Sequence, residues 1–508
     1  MCDNTSNNKR IAKNTLFLYL RMLLLMVISL YTSRVVLDKL GIVDFGVYNV
    51  VAGFAVMLGF FSSSLANVTQ RFLNIELGRE NFADAKKVFN QHLILYSGII
   101  VIVLLIGETI GLYFVANKLV IPQERMMAAI WAYQFALFSL AFTLFGIVYN
   151  SAIVAHEEMK IYSYVGIVEG LAKLGVAYLI SVVSSDRLIV YSFLLMVVSA
   201  SSQLYFAIYC RQRYAECSLM WTWERNTIRQ TVSFLGWNFL GTIIYMLKDQ
   251  GINILMNIFY GPLVNAARAI TFQISGAISS FNTNFFTSVR PQIIKSYAAG
   301  QMDYLKNLFF RSSKYSLLLM LFLCLPVMMK IDFILGLWLK EVPSYTAEFT
   351  LWVLIDSILA TMTNAPWTVT MATGKLKTYV LYSNGILVMI FPLAYIAMKL
   401  GAAPVSAFMI IVVVRIFQIM ANLAVVNGSI HYGYKQYVRN VVAPFLKVVV
   451  VSIPVACFLC RLFGDTLIMS LIAIAAVFLS IALFIWLFGT SRGERELFLN
   501  YCRTYFYK

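Results

Sequence analysis

Charged side chains are scarce in this sequence. Only 12% of the 508 residues are Asp, Glu, Lys or Arg, whereas 60% are hydrophobic, and the mean hydropathy is +0.78. Soluble domains have about 25% charged and about 45–50% apolar residues, and their cores cannot bury this much apolar surface. The composition therefore excludes a soluble enzyme, a disordered chain and a secreted scaffold held by disulfides.

Several motifs for chemistry are also missing. The sequence has no G-x-x-x-x-G-K-[ST] loop for binding phosphates, so it predicts no ATPase activity. Its three His residues are far apart, which argues against a metal site. Of its seven Cys residues, only Cys457 and Cys460 form a C-x-x-C pair, inside an apolar run where ordinary packing is favoured over redox chemistry. With no large polar stretch for a catalytic domain, we expect no enzyme and no cofactor.

Long apolar runs are what the sequence has in abundance. A helix needs about 20 apolar residues to cross a bilayer, whereas the strands of membrane β-barrels have about 10 alternating residues. The first run is too long for the core of a signal peptide, so it should remain as an anchor. We predict an all-α polytopic membrane protein with about 14 spans. They lie at residues 14–33, 46–66, 91–114, 128–150, 163–184, 188–210, 232–258, 263–287, 315–338, 348–371, 379–398, 404–427, 441–460 and 466–488.

The net charge of +17 is explained by topology. If Met1 is cytoplasmic, 25 of the 40 Lys and Arg residues fall in cytoplasmic connections and eight fall in outside connections. Cytoplasmic connections of membrane proteins carry an excess of Lys and Arg. The distribution therefore predicts that both termini are cytoplasmic, and the charge requires no nucleic-acid partner.

The sequence resembles itself at an offset of 217 to 220 residues. Residues 155–178 resemble residues 372–395. The matches pair Ala155 with Ala372, Lys160 with Lys377, and Tyr162 with Tyr379. Because six spans separate equivalent positions, the two halves should run in the same direction, as in transporters built from parallel repeats.

This repeat predicts the domain organisation. We expect an N-lobe over 1–225, a C-lobe over 226–436, and two further spans with a cytoplasmic tail over 437–508. Segments 71–90 and 290–311 occupy matching places and mix apolar and basic residues at helical spacing. They are expected to be interfacial helices, or equally amphipathic linkers.

Ionisable residues inside the predicted spans are the candidates for function. A charge at the bilayer centre costs about 2.5–3.5 kcal/mol on insertion scales, so it usually faces a cavity or a partner. Arg21, Arg268 and Arg415 have no carboxylate three or four residues away. Each therefore needs a tertiary partner, an aqueous cavity or an anionic ligand. Lys248 and Asp249 point about 100° apart on a helix, which indicates that one of them faces a lumen.

An anionic substrate suits these cations. Arg21, Lys248 and Arg268 belong to spans 1, 7 and 8, which the repeat places at the seam between the halves. Cations clustered there favour a phosphate ligand, whereas pairing with carbonyls or with Asp356 is the structural alternative. Carboxylates that could carry coupling protons are Glu169, Asp249 and Asp356, and Glu169 could instead pair with Lys173 four residues along the helix. Amides and aromatic residues in spans 7, 8 and 10 suit sugar recognition, but equally serve to join helices.

Three stretches carry a family resemblance. They are NTLFLYLRMLLLMVISLYTSRVVLDKLGIVDFGVYNVV near the N-terminus, NQHLILYSG from residue 90, and LKDQGINILMNIFYGPLVNAARAITFQISGAISSF over 247–281. They resemble bacterial O-antigen and capsule flippases, the Wzx-like polysaccharide transporters of the multidrug/oligosaccharidyl-lipid/polysaccharide (MOP) exporter superfamily. The resemblance covers essentially the whole chain. Its most specific part, G-P-x-x-N-A-A-R-A-I at 261–270, includes Asn265 and Arg268 as candidate site residues.

The resemblance implies a fold and a function. The fold would be MATE-like, with two six-helix lobes in a V and two peripheral helices. The substrate would be undecaprenyl pyrophosphate carrying an oligosaccharide, translocated across the bacterial inner membrane by alternating access, with H⁺ or Na⁺ coupling. Arg21, Lys248, Arg268 and Arg415 would neutralise the pyrophosphate. The implied partners are the polyprenyl-linked oligosaccharide, the lipid bilayer, a polysaccharide polymerase and glycosyltransferases.

Other functions compete with this one. A flippase for lipid II, the peptidoglycan precursor, would share the substrate chemistry, and a MATE-type multidrug antiporter coupled to cations would need an acidic lumen. A membrane-embedded polymerase or ligase would need a large outside loop, but the longest outside connection has about a dozen residues. A structural scaffold would leave Arg21, Arg268 and Arg415 unexplained.

Overall fold

A computed structural model describes most of the chain, namely residues 2–41, 44–45, 47–48, 51–53, 59, 61–117, 121–260, 262–339, 342–464, 466–491 and 493–496. Over these ranges the protein is built from helices, and no strand occurs. The helices are α1 (Cys2–Leu40), α2 (Ser62–Gly78), α3 (Phe82–Asn117), α4 (Met126–Ala155), α5 (Met159–Leu179), α6 (Arg187–Arg213), α7 (Arg225–Tyr260), α8 (Pro262–Ala298), α9 (Met302–Met329), α10 (Ile331–Trp338), α11 (Thr346–Thr373), α12 (Leu376–Lys399), α13 (Ser406–Ile430), α14 (Tyr434–Leu462) and α15 (Leu467–Gly489). The predicted all-α class is confirmed.

Nine helices within the described ranges are long and apolar enough to cross a bilayer, judged by length and composition. These are α1, α3, α4, α6, α9, α12, α13, α14 and α15. Four more predicted spans are also helical, in α5, α7, α8 and α11, but these helices are too polar to count as membrane-crossing by the same criteria. Much of the remaining predicted span, 46–66, lies outside the described residues. The chain is a multi-pass membrane protein.

The two segments expected to be interfacial helices or amphipathic linkers are junctions between longer helices. α2 continues to Gly78 and α3 begins at Phe82, and in the same way α8 continues to Ala298 and α9 begins at Met302. Glu80 and Gly300 adopt left-handed backbone angles, with φ of 58° and 71°, which a right-handed helix cannot continue through. A short turn at each site therefore separates two helices, and no third helix forms.

Two compact units make up the chain. The first contains Met1–Phe239 and Thr287–Gly300, and the second contains Leu240–Phe286 and Gln301–Lys508. This division differs in detail from the predicted boundaries at residues 225 and 436. The end of α8 belongs to the first unit, whereas α14 and α15 belong to the second.

In the first unit, α4 packs along α6, and α1 packs along α5. The core around α4 buries large aromatic side chains, among them Phe89, Tyr133 and Tyr149. Two glycines let α1 approach α5 closely. A Cβ atom on Gly170 would lie 2.5 Å from Leu25 Cδ2, and one on Gly166 would lie 2.3 Å from Arg21 Nε. Small residues four apart are a common device for close helix packing in membranes.

In the second unit, α11 packs along both α9 and α13, and α14 and α15 pack on each other and on α9. The core includes Phe349 and Phe408, whose ring centroids are 4.6 Å apart. The helix order follows the predicted repeat. α3, α4, α5 and α6 begin at residues 82, 126, 159 and 187, and α9, α11, α12 and α13 begin at 302, 346, 376 and 406. The contact of α4 with α6 also recurs as the contact of α11 with α13.

Candidate functional site

A cavity of the first unit lies beside Arg21. It has a volume of about 460 Å³ and is walled mainly by α1 and α5. Its polar lining side chains are Arg21, Ser29, Thr32, Tyr48, Glu169, Lys173 and Tyr191. Two cations and one carboxylate therefore line it, which leaves one net positive charge. Typical ligand pockets have volumes of about 300–1,000 Å³.

Arg21 has no compensating charge within the described part of the chain. Its guanidinium lies over the ring of Tyr162, 4.5 Å from the centroid, a cation–π contact. Its Nε atom is buried without a hydrogen-bond partner. The carboxylate of Glu169 lines the same cavity but is bound by Lys173 at 2.7 Å. The predicted local pair of Glu169 and Lys173 is therefore present, and it leaves the charge of Arg21 unbalanced.

Gly166 makes room for this arrangement. Since any side chain at this position would meet the guanidinium of Arg21, with Nε 2.3 Å and Cζ 3.0 Å from a Cβ atom, only glycine fits beside Arg21 without displacing it. Sequence reasoning missed Gly166 and Tyr162 as neighbours of Arg21. The pair Gly166 and Gly170, four residues apart, was the signal that could have located the close contact.

Arg268 lies in the second unit and binds neutral groups. Its Nη2 donates to the backbone carbonyl of Asp249 at 2.8 Å, and its Nη1 donates to the side-chain oxygen of Asn253 at 3.2 Å. Its guanidinium lies 4.3 Å from the ring centroid of Phe272, and its Nε is buried without a hydrogen-bond partner. Arg268 is thus positioned by its neighbours, although no carboxylate within the described ranges forms an ion pair with it.

Arg415, by contrast, has a complete set of partners. Its Nε and Nη2 donate to the two carboxylate oxygens of Asp356 at 2.7 and 3.0 Å, and its Nη1 donates to Gln418 at 2.7 Å. Its side chain is buried. Asp356 thus balances the charge of Arg415, so Arg415 needs no anionic ligand.

Lys248 and Asp249 pair with each other. The ammonium of Lys248 lies 3.0 Å from the carboxylate of Asp249. Both residues line a small cavity of about 80 Å³ in the second unit, together with Asp356. Charges around this cavity balance, because Asp356 is bound to Arg415. The backbone of Asn265 lies in α8, but its side chain is outside the part of the structure that is described.

The predicted site residues therefore fall into two groups. Arg21 and Glu169 share the cavity of the first unit. Lys248, Asp249, Arg268, Asp356 and Arg415 lie in the second unit.

Comparison with known proteins identifies the fold. No family model and no curated protein matches the sequence. Solved structures do match. A mutant of the Vibrio cholerae MATE transporter VcmN has 15% identity and a TM-score of 0.70, and the match covers 86% of this chain and 98% of that one. A MATE protein in its straight conformation has 13% identity and a TM-score of 0.71, with 84% and 96% covered.

This is the MATE fold. A third match is a MOP superfamily transporter from Pyrococcus furiosus, with 12% identity, a TM-score of 0.69, and 83% and 96% of the two chains covered. That transporter is described as having a binding pocket of reversed polarity that suggests a different function. At these identities the likeness establishes the fold, and this confirms the predicted MATE-like architecture. These neighbours are themselves transporters.

Proposed function

We propose that the protein is a flippase for polyprenyl-pyrophosphate-linked oligosaccharides, the repeat units of O-antigen, capsule or exopolysaccharide. The observation that carries the proposal is Arg21, a permanent cation beside a cavity with no carboxylate to balance it. An arginine in a membrane helix is costly unless it has a partner. A pyrophosphate supplies that partner, because its oxygens accept the paired hydrogen bonds that a guanidinium donates.

The sign of the charge distinguishes this substrate from a cationic drug. The cavity beside Arg21 has one net positive charge, which would repel an organic cation. A MATE-type antiporter for cationic drugs would need the opposite sign. The reversed pocket polarity described for the transporter from Pyrococcus furiosus is a precedent for a change of substrate charge on this fold.

Within the second unit, Arg268 stays a candidate for binding an anionic substrate. It binds a carbonyl and an amide and keeps its charge unpaired. Lys248 and Arg415 are each bound to a carboxylate, so we assign them to the structure of the second unit. Asn265 stays a candidate substrate-binding residue only because the motif at 261–270 resembles that of the flippases.

The sugar would be recognised by the uncharged lining of the same cavity. Tyr48 and Tyr191 each combine an apolar ring with a phenolic hydroxyl, and Thr32 adds an aliphatic hydroxyl. Such side chains suit a sugar, which presents apolar C–H faces and polar edges. A volume of about 460 Å³ accommodates a pyrophosphate with its first sugar.

Coupling to H⁺ or Na⁺ is assigned to Glu169. Its carboxylate lines the cavity that holds Arg21, so an incoming anion would alter its surroundings directly. Asp249 and Asp356 are weaker candidates because neither lines the cavity beside Arg21. Glu169→Gln should abolish the dependence of transport on an imposed ion gradient and leave substrate binding intact. Transport that still follows the gradient in this variant would remove Glu169 from the coupling mechanism.

A transport assay tests the substrate assignment. The purified protein is reconstituted in proteoliposomes with a defined polyprenyl-pyrophosphate sugar, and translocation is measured for the wild type, Arg21→Gln and Arg21→Lys. We expect a loss of about tenfold or more for Arg21→Gln, the size expected for one charged hydrogen bond, and partial activity for Arg21→Lys. The matched control is Arg34→Gln, since Arg34 is an exposed cation on the same helix. Equal transport by Arg21→Gln and Arg34→Gln would rule out the assignment.

The same assay distinguishes lipid II. Lipid II has the same pyrophosphate and differs in its sugars and peptide, so it is added as a competitor. Proteoliposomes that translocate lipid II in preference to other polyprenyl-linked sugars would make the protein a peptidoglycan-precursor flippase, and loss of the gene would then cause lysis. In a polysaccharide exporter, loss of the gene should remove surface polysaccharide. The proposed setting is the bacterial inner membrane, with both termini cytoplasmic and translocation toward the periplasm.

A further inference from the structure

A separate polar cavity lies at the end of the second unit where α9 begins and α15 ends. Its volume is about 380 Å³. α9 contributes Asn307, Arg311 and Lys314 to its wall, α14 contributes Arg439 and Asn440, and the segment after α15 contributes Ser491 and Glu494. None of the residues assigned above to the transport site lines it.

The charges around this cavity do not balance. Arg311, Lys314 and Arg439 face a single carboxylate, that of Glu494. Lys314 binds both oxygens of Glu494, at 2.9 and 2.7 Å, whereas Arg311 Nε is 3.9 Å from the nearer one. Arg439 is exposed and pairs with no carboxylate in the described residues. Three cations and one anion leave two positive charges.

Two helices that line this cavity, α14 near its start and α15 at its end, depart from regular α geometry there. Val438–Val442 in α14 and Ile485–Gly489 in α15 form π-helical turns. Of the π-helical turns within the described ranges, these two contribute lining residues, namely Arg439, Asn440, Phe488 and Gly489. π-turns inside helices occur frequently at functional sites.

The segment after α15 is held in place by side-chain hydrogen bonds. The backbone N–H of Ser491 donates to Glu494 Oε2 at 2.8 Å, and Arg495 Nη2 donates to the carbonyls of Leu487 and Thr490 at 2.5 and 3.0 Å. Gly489 approaches α9 so closely that a Cβ atom would lie 3.0 Å from Leu318. The cavity wall is therefore fixed by specific contacts and is not a loose surface.

We propose that this cavity binds a phosphate group through Arg311 and Arg439. Guanidinium groups bind phosphate oxygens in pairs, and the two uncompensated positive charges would attract the negative charge of a phosphodiester. Because Phe310, Pro444 and Phe488 add an apolar side to the wall, the favoured source is the headgroup of an anionic phospholipid, whose chains remain in the bilayer. Basic pockets between membrane helices bind anionic lipid headgroups in this way. The bound group would join α9, α14 and α15.

The test measures binding to the full-length protein in detergent. The probes are dispersed phosphatidylglycerol, zwitterionic phosphatidylcholine at the same concentration, and inorganic phosphate. The readouts are the thermal unfolding midpoint and the bound lipid detected by native mass spectrometry. For wild type we expect phosphatidylglycerol to raise the midpoint and phosphatidylcholine to leave it unchanged. The variants Arg439→Gln and Arg311→Gln should each weaken phosphatidylglycerol binding by about tenfold or more, the loss of one charged hydrogen bond.

Lys435→Gln is the matched control, because Lys435 is an exposed cation one helical turn before Arg439 and does not line the cavity. It should bind phosphatidylglycerol as the wild type does. If inorganic phosphate stabilises the wild type and phosphatidylglycerol does not, the cavity binds a soluble phosphate. That result would support phosphate binding and overturn the lipid as its source. If Arg439→Gln, Arg311→Gln and Lys435→Gln bind both probes equally, the proposal is wrong. The transport assay of the Arg21 variants does not depend on lipid binding at this cavity. Either proposal can therefore be overturned without the other.

Discussion

Lys295 donates a hydrogen bond to Glu157 at 3.0 Å, across 138 residues of sequence. The same carboxylate accepts hydrogen bonds from Gln292 at 2.6 Å and from Arg10, and its side chain has no solvent exposure. Asn14 donates to the backbone carbonyl of Glu157 at 2.9 Å. Within the first unit, this carboxylate therefore joins α1, the turn between α4 and α5, and the end of α8.

Replacing Glu157 should destabilise the first unit. In Glu157→Gln, the partly buried Lys295 loses its carboxylate partner, and the cost should approach, from below, the about 3–5 kcal/mol of breaking a fully buried ion pair. We expect a clear fall in the midpoint of thermal unfolding of the purified protein. The control is Glu80→Gln, because Glu80 is exposed and also has a positive φ. Equal midpoints for the two variants would show that the pairing contributes little.

Gly166→Ala should impair transport without unfolding the protein. The added Cβ would meet the guanidinium of Arg21, the mobile end of a side chain, so Arg21 would move and the helices would remain packed. The matched control is Gly175→Ala on the same helix, where a Cβ meets no atom within 4 Å of those described. That control should keep transport and gain up to about 1 kcal/mol of stability from helix propensity. The two variants are compared by transport in proteoliposomes and by thermal unfolding. Unchanged transport in Gly166→Ala would mean that the position of Arg21 is unimportant.

Asp356→Asn should destabilise the second unit strongly. It leaves the buried cation of Arg415 without its carboxylate, at a cost of about 3–5 kcal/mol. The double variant Asp356→Asn with Arg415→Gln removes both charges and should recover part of that loss. The two single variants and the double variant form a thermodynamic cycle, measured by denaturant unfolding. Additive effects would contradict a direct ion pair.

Acid should destabilise the junction between α6 and α7 through Glu216. Burial raises the pKa of this carboxyl, but the hydrogen bond from His156, the hydrogen bond from the backbone N–H of Glu216 itself and the charge of His156 together outweigh burial and hold the pKa below its usual value of 4.5. The ionised form is therefore favoured in the folded state. Its contribution to stability is complete above the unfolded pKa and is lost as the pH falls through the folded pKa.

The measurement is the unfolding midpoint as a function of pH, from neutral pH downward through the unfolded pKa of a glutamate, about 4.3, and below it. The carboxyl faces His156, whose ring stacks on that of Tyr214 with the two centroids 3.9 Å apart, and it also interacts with the thiol of Cys217. Glu216→Gln should lower the midpoint at neutral pH and reduce its change with acid. A variant with the same acid dependence as the wild type would show that other carboxylates control it.

Much of the helical framework was predictable from the sequence, because the apolar runs are local. A run of about 20 apolar residues must form its own hydrogen bonds inside a bilayer, so the run itself specifies a helix. α13 at Ser406–Ile430 illustrates this against the predicted span 404–427. The turns were harder. Segments 71–90 and 290–311 were predicted as interfacial helices or amphipathic linkers, whereas in each one long helix ends and another begins. A left-handed residue such as Glu80 has no periodicity that would reveal this turn.

The candidate site was predictable only as a set of residue types. In sequence, Arg21, Arg268 and Arg415 are equivalent, since each is a cation in an apolar run with no nearby carboxylate. The structure separates them by their partners: Arg415 binds Asp356, which lies 59 residues away, Arg268 binds a carbonyl, and Arg21 faces a cavity. The apolar pattern determined where helices form, since that depends on each segment and the bilayer. Which arginine keeps an unbalanced charge was decided by tertiary packing, because an ion pair depends on how two helices are rotated against each other, and hydrophobicity along one segment does not encode that rotation.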